Sequence, residues 1–438
     1  MFRSQKAVGD RCVQLFRAIT PSDWERPRLY AERIRRLSVQ RDLFLNNPQI
    51  PSALRLGLVG HVLFSRLQLF TLHFVMNPRS EPYIDLFLGP HVTSLTTTVP
   101  LPDAEVSLIL PIAPQLKHAN SIISRRELAS SFAQSLLCIE SLCISEIDSV
   151  AWQHIGSLPS LKSLDFKYMT KGVVPGSLHP TVPLFTGLKK LDLAWCPITT
   201  VSRILTLVSS SPIMNLQSTN DGDPHEFFAT IAAHCSHAAL ATFSHLFRPA
   251  AGSDHAIHSP ALRALFPFYN LTEMKITSYM AAFDLDDDTM REMASAWPQI
   301  ATLVLKVSAV GYAGTNAPAW LAKERPRFTL TALAHLAHRC ASLEALELTV
   351  DATVVPVAWE PCAQTALTAL TLGHSPLTKT AISPVAAFIR TIFPALRSVS
   401  VAPKPPPVLT PYQGIVTYGN LHEKKWLAVS ALLREGRD

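Results

Sequence analysis

The sequence predicts an α/β fold built from stacked repeats. Three observations predict it. Short apolar strand motifs recur along the chain, they recur at a nearly constant spacing, and amphipathic helical segments lie between them.

The strand motif has the form L-x-x-L-x-L, with apolar anchors at its first, fourth and sixth positions. Ten copies carry all three anchors. They are Ile34/Leu37/Val39, Leu69/Leu72/Phe74, Ile139/Leu142/Ile144, Leu161/Leu164/Phe166, Leu188/Leu191/Leu193, Leu271/Met274/Ile276, Ile300/Leu303/Leu305, Leu343/Leu346/Leu348, Leu367/Leu370/Leu372 and Leu396/Val399/Val401. Weaker copies start at Val92, Leu116, Ile213 and Leu240, each with one or two polar or small anchors. So permissive a template gives on the order of a dozen accidental hits in a chain this rich in aliphatic residues. The spacing is therefore the stronger argument. Starts at 69, 92, 116, 139 and 161 are 22 to 24 residues apart; 188, 213 and 240 follow at 25 and 27, and 343 to 367 is 24. Leucine-rich repeats run about 20–29 residues.

Glu127 to Leu137, Val201 to Val208 and Leu330 to Arg339 place apolar residues three and four apart, as an amphipathic helix requires. One strand and one helix cannot bury their apolar sides alone, whereas stacked neighbours bury them as a continuous core. The expected fold is a leucine-rich-repeat solenoid, a curved horseshoe with a parallel sheet on the concave face and helices on the convex face. The expected division is a short N-terminal remnant over 1–23, a repeat domain over 24–402, a Pro-rich linker over 403–411 and a capping helix or tail over 412–438. A surface insertion over 306–329 interrupts the spacing between Ile300 and Leu343. Ala402 to Pro407 reads as polyproline II, and Leu421 to Arg434 as a short helix with Trp426, Val429 and Leu433 on one side.

Composition narrows the function. Hydrophobic residues make up 48% of the 438 residues and charged residues 16%, which supplies a large core. The 39 basic and 33 acidic residues leave +6 over the whole chain, so no nucleic-acid partner is expected. The longest apolar stretch, Leu54 to Phe64, contains Arg55 and His61 and falls well short of the ~20 residues of a span. No membrane association is expected. Seven cysteines, an odd number, read as reduced thiols of a cytoplasmic or nuclear protein.

Enzyme motifs are missing. There is no G-x-G-x-x-G, no G-x-x-x-x-G-K-[ST] and no G-x-S-x-G. His225-Glu226 is followed by Ala229, and His422-Glu423 by Trp426, where a zincin needs a second histidine. His234/Cys235/His237 and His335/His338/Cys340 lack zinc-finger spacing. Asp284 to Asp288 lacks the glycine and the final glutamate of a calcium loop and reads as the acidic start of a helix carrying Met290, Met293 and Trp297. Arg33, Arg35 and Arg36 read as a solvated edge of the first repeat. No catalytic residue, cofactor or metal is expected.

Ser22-Asp23-Trp24-Glu25-Arg26 followed by Tyr30-Ala31-Glu32-Arg33-Ile34-Arg35-Arg36-Leu37 resembles the segment that joins the F-box to the leucine-rich repeats in basidiomycete-type F-box proteins. Leu86 to Leu95 and Leu188-Lys189-Lys190-Leu191-Asp192-Leu193 are similar to further blocks of that family. The resemblance implies a substrate-recognition subunit of an SCF-type ubiquitin ligase, which holds a protein target and performs no chemistry. An F-box begins with a Leu-Pro motif and spans about 40–50 residues, whereas about 15 residues precede the matching linker here. Val8, Cys12, Leu15 and Phe16 are at most the last turn of its final helix. A Skp-type adaptor is accordingly expected only of a form that carries an F-box. The alternative is a free-standing repeat scaffold or inhibitor unconnected to ubiquitination. In either case the partner surface is expected on the outward strand positions: Ser163, Asp165, Lys167, Lys190 and Asp192, with Glu273 and Lys275 further along.

Overall fold

A computed structural model describes residues 2–6, 11–15, 23, 25–39, 62–73, 84–101, 103–123, 125–167, 183–248, 256–279, 283–308, 326–357, 361–362, 364–372, 375–400 and 422–435. The chain divides into two compact units, Met1–Cys196 and Pro197–Asp438. Among the described residues each unit has seven strands in a parallel ladder, and unit 2 has a further parallel pair.

Unit 1 opens with an antiparallel pair, β1 (Phe2–Lys6) and β2 (Arg11–Leu15), followed by α1 (Glu25–Ala31). Its parallel strands are β3 (Arg36–Val39), β4 (Leu69–Leu72), β5 (Ser94–Pro100), β6 (His118–Ile122), β7 (Ser141–Ile144), β8 (Ser163–Lys167) and β9 (Lys190–Ala194). Each pairs with the next in sequence. A 3-10 turn (Ile84–Leu86) and the helices α2 (Asp103–Ile112), α3 (Arg126–Ser135) and α4 (Ser149–Ser157) fill connections between strands.

Unit 2 runs α5 (Ile198–Leu207), β10 (Asn215–Asn220), α6 (Pro224–His234), β11 (Thr242–Phe247), β12 (Ile257–His258), α7 (Ser259–Arg263), β13 (Glu273–Tyr279), β14 (Phe283–Asp284), α8 (Asp287–Ala296), β15 (Thr302–Ser308), α9 (Leu330–Arg339), β16 (Ala345–Glu347), β17 (Ala369–Thr371), α10 (Ile382–Ile392), β18 (Val399–Ser400) and α11 (Glu423–Glu435). Seven of these strands pair in parallel in the order β10-β11-β13-β15-β16-β17-β18. β12 and β14 form a separate parallel pair.

The anchors explain the stacking. Strand register aligns Leu142, Leu164 and Leu191 in unit 1, and Leu216, Phe243, Met274, Leu303, Leu346 and Leu370 in unit 2. All are buried. The first anchors Leu161, Leu188, Ile300, Leu343 and Leu367 are buried as well, and each strand starts two residues after its own. In a parallel sheet buried on one side, this keeps every second side chain in the core.

A backbone relay repeats beneath the anchors. The carbonyl oxygen just before a strand accepts two N–H groups from the corresponding corner of the next repeat. In unit 1 the oxygen of Lys117 takes the N–H of Glu140 (2.7 Å) and Ser141 (3.0 Å), and that of Glu140 takes Lys162 (2.8 Å) and Ser163 (3.0 Å). Arg35, Gln68, Thr93 and Lys162 do the same. In unit 2 the acceptors are Met214, Ala241, Thr272, Ala301 and Glu344. The relay thereby pairs the corner backbone of each repeat with that of the next.

Helix starts are sequence-coded. Asp148 caps α4 at Ala151 N (2.8 Å), Asp223 caps α6 at His225 N (2.9 Å) ahead of Pro224, and Asp286 caps α8 at Thr289 N (3.0 Å). Gly156 in α4 serves close packing. The N–H of Phe185 donates to its carbonyl at 2.7 Å, and a β-carbon there would sit 3.0 Å from Leu184 Cβ.

Three expectations change. The second repeat anchors on Leu67/Phe70/Leu72 instead of Leu69/Leu72/Phe74: Phe70 is fully buried and pairs in register with Leu37 and Leu95, while Leu69 faces outward. Both frames satisfy the motif, and the stack of Phe70 on Phe87 (5.5 Å between centroids) fills the core in the observed one. Arg11–Leu15 is a strand, so Cys12 and Leu15 do not close a helix; Gly9-Asp10 between the two strands is a turn signal. The insertion does not begin at 306, because Lys306 to Ser308 complete β15, and Thr329 pairs with Asp351 while capping α9. Residues 309–325 of the insertion, the 403–411 linker and Trp24 lie outside the described residues.

Candidate functional site

The outward positions of β8 and β9 lie side by side. Ser163 pairs in register with Lys190, Asp165 with Asp192, and Lys167 with Ala194. The residues between them, Leu164, Phe166, Leu191 and Leu193, are buried. Lys190 is exposed, while Ser163, Asp165 and Asp192 are half-buried. Neighbouring strands stand about 4.8 Å apart, so the carboxylates of Asp165 and Asp192 occupy adjacent rungs of one face. Ser141 and Cys143 of β7 continue the same rows.

At the corner before these strands Glu140 holds two lysines, Lys162 at 2.8 Å and Lys117 at 3.3 Å. The hydrogen bonds from Lys162 and then Lys117 hold the Glu140 carboxyl below its ordinary range. The three charges come from three successive repeats and sit at the carbonyl relay. Sequence reasoning missed them because it counted only positions inside the strands.

Unit 2 presents a second polar face. Glu273 and Lys275, both half-buried on β13, pair with each other at 2.6 Å. Lys306 of β15 pairs with Glu347 of β16 at 3.0 Å. Glu347 sits between buried Leu346 and Leu348, so the alternation that singles out Asp165 also identifies it. Lys306 was hidden by the insertion boundary.

The remaining polar clusters are structural ties. Asp284 accepts from Arg327 (2.8 Å) and lies 2.9 Å from His258 Nδ1. These contacts, Arg327 first, hold the Asp284 carboxyl below its ordinary value. Asp287 takes both the N–H (2.8 Å) and the hydroxyl (2.6 Å) of Thr329. Of the acidic run, Asp286 alone provides the side-chain cap of α8, and Asp284 and Asp287 tie the segment before α9 to it. His237 turns Nε2 to the Ala232 carbonyl (2.9 Å) and sets its ring edge-on to Phe268. Cys235 and Cys340 are buried, and burial pushes both thiols up to about 12. Among the described residues no group of three His, Cys, Asp or Glu side chains is placed to hold a metal ion, and no helix is long and apolar enough to cross a membrane.

A surface groove of about 420 Å³ runs between α8 and α9, lined by Arg291, Glu292, Ser295, Ala296 and Arg339. Its charged groups are already engaged: Glu292 with Arg263 (2.7 Å), Arg291 with Asp288 (2.9 Å) and Arg339 with Ser295 (2.6 Å).

The fold and this face define an α/β repeat protein whose strands offer alternating polar side chains. No known protein-family model matches the chain, and no curated protein does.

Proposed function

We propose that the chain is a leucine-rich-repeat solenoid that binds a protein target on the outward face of its strands and performs no chemistry. In this reading it acts as the substrate-recognition subunit of an SCF-type ubiquitin ligase does. The observation that supports it is the register of β8 and β9, which sets Ser163, Asp165, Lys190 and Asp192 on adjacent rungs above a fully buried apolar layer. A rigid sheet holds such side chains with little ordering cost on binding, and extended repeat faces are used for this purpose. The resemblance of the Trp24 to Leu37 block supports the link to ubiquitination.

The experiment is proximity labelling in the native cell with the full-length gene product, wild type against a variant combining Asp165→Lys, Lys167→Glu, Lys190→Glu and Asp192→Lys. The expected result is a set of proteins labelled by the wild type and lost from the variant, with a Skp-type adaptor and a cullin labelled by both. Identical sets would move the target site off these strands. Absence of adaptor and cullin from both would leave the free-standing scaffold.

A further inference from the structure

His245 stands at an anchor position that the strands on one side of it fill with aliphatic residues. Its register partner on β13 is Ile276, which in turn pairs with Leu305. The imidazole is 1% exposed. Nδ1 lies 2.8 Å from the hydroxyl of Ser218, its buried partner on β10. Nε2 has no hydrogen-bond partner among the described residues. Phe227 stacks on the ring at 4.5 Å and Phe228 meets it edge-on at 5.7 Å, both from α6. Phe243 and Phe247 flank it along β11 at 6.2 and 6.3 Å.

The elements around the ring turn buried apolar or neutral groups inward: Leu216 and Asn220 from β10, Met274 and Ser278 from β13, Ile231 from α6. Their charged groups lie elsewhere. Glu273 and Lys275 are on the outward face of β13, and His225, Glu226 and His234 of α6 are exposed or half-buried. Cys235, after α6, is buried with its thiol pushed up to about 12 and stays neutral. A protonated imidazole here would carry a second N–H with no acceptor and a charge walled off by phenyl rings. Ring faces attract a cation weakly, and burial without a counter-charge opposes it more strongly.

We propose that His245 is an acid-sensitive latch of unit 2: taking a proton, its ring leaves the phenylalanine cage and the β10–α6–β11 segment opens. The sign follows from linkage. Burial holds the folded-state value down to about 3, below the ordinary 6.5. The opened state therefore binds more protons at intermediate pH, and the contribution is complete above about pH 6.5 and lost on the way down to about 3. The folding equilibrium loses about tenfold by pH 5.5 and about a hundredfold by pH 4.5. His335 on α9, also lowered mainly by burial, adds in the same direction, so the test must isolate residue 245.

The test compares urea unfolding of the full chain at pH 7.5 and 5.5, wild type against the double variant Ser218→Ala with His245→Leu, which leaves no orphaned hydroxyl. The wild type should lose about tenfold more of its folding constant than the variant; parallel losses overturn the proposal. Ring NMR of wild-type His245 decides the matter even if the variant does not fold. Neutral-ring signals that persist at pH 5, while exposed histidines titrate, support the latch. An imidazolium signal from His245 in the folded chain at pH 6 overturns it.

Discussion

The hydroxyl of Thr97 donates to that of Ser121 at 3.1 Å, and the two are buried residues of the neighbouring strands β5 and β6, at the motif position where other repeats place Ile144 and Phe166. Each is buried, and each satisfies the other. Replacing one should therefore cost more than replacing both. Thr97→Val alone is expected to destabilise the protein by about 1–3 kcal/mol by orphaning Ser121, and adding Ser121→Ala should restore much of the loss. A double-mutant cycle by urea unfolding measures the coupling; additive losses would mean that the bond contributes nothing.

Leu191 and Leu346 are buried central anchors, one in each unit. Leu→Ala at either is expected to cost about 2–5 kcal/mol. The loss should also propagate to adjacent repeats, since each repeat rests on its neighbours. Hydrogen exchange read strand by strand checks this. An unchanged melting profile would remove both leucines from the core.

The helix α11 closes β18, the last strand of unit 2 among the described residues. Trp426 is buried and its indole N–H donates to the Ser375 carbonyl at 3.0 Å, while the Ser430 hydroxyl accepts from Val399 N (3.0 Å) and donates to Val399 O (2.8 Å). The hydroxyl thus does for β18 what another strand would do. Trp426→Ala should cost about 3–5 kcal/mol. Ser430→Ala should bare an edge that invites pairing between chains. Light scattering of the Ser430 variant at rising concentration tests the second effect, and a monodisperse signal would count against it.

Arg327 lies over Asp284 and Asp286, and both carboxyls are held below their ordinary values, Asp286 chiefly by Thr289. Their contribution is present above the unfolded carboxylate range and is lost as pH falls through the lowered folded values. Arg327→Gln should raise the titration midpoint of Asp284 with little change in stability, since all three side chains are partly solvated. Carboxyl NMR reads the midpoint, and an unmoved Asp284 would refute the pairing.

Strand positions were legible where the anchors are large and aliphatic, as at Leu161, Leu188 and Leu343, because only one frame buries them. At Leu67 to Phe74 two frames fit, and the choice rests on Phe87, a residue outside the motif. The repeats at Val92, Leu116, Ile213 and Leu240 looked weak for a reason that only packing reveals. Their polar anchors fall in consecutive pairs, Thr97 with Ser121 and Ser218 with His245, and hydrogen-bond across the core. The outward rows of Asp165 and Asp192 followed from alternation alone. The Lys117–Glu140–Lys162 cluster did not, since it depends on three corners arriving at one place.

The carbonyl relay has a mechanical consequence. In unit 1 each repeat is held by its immediate neighbours, through the two relay hydrogen bonds and the adjoining strand ladder, so a load applied to the end of the array falls on one repeat at a time and never on the whole sheet. Drawn out by its terminus, unit 1 would peel in steps, each freeing one corner-to-corner segment. Such a segment, 23 residues from Lys117 to Glu140, pays out about 80 Å of chain when fully extended.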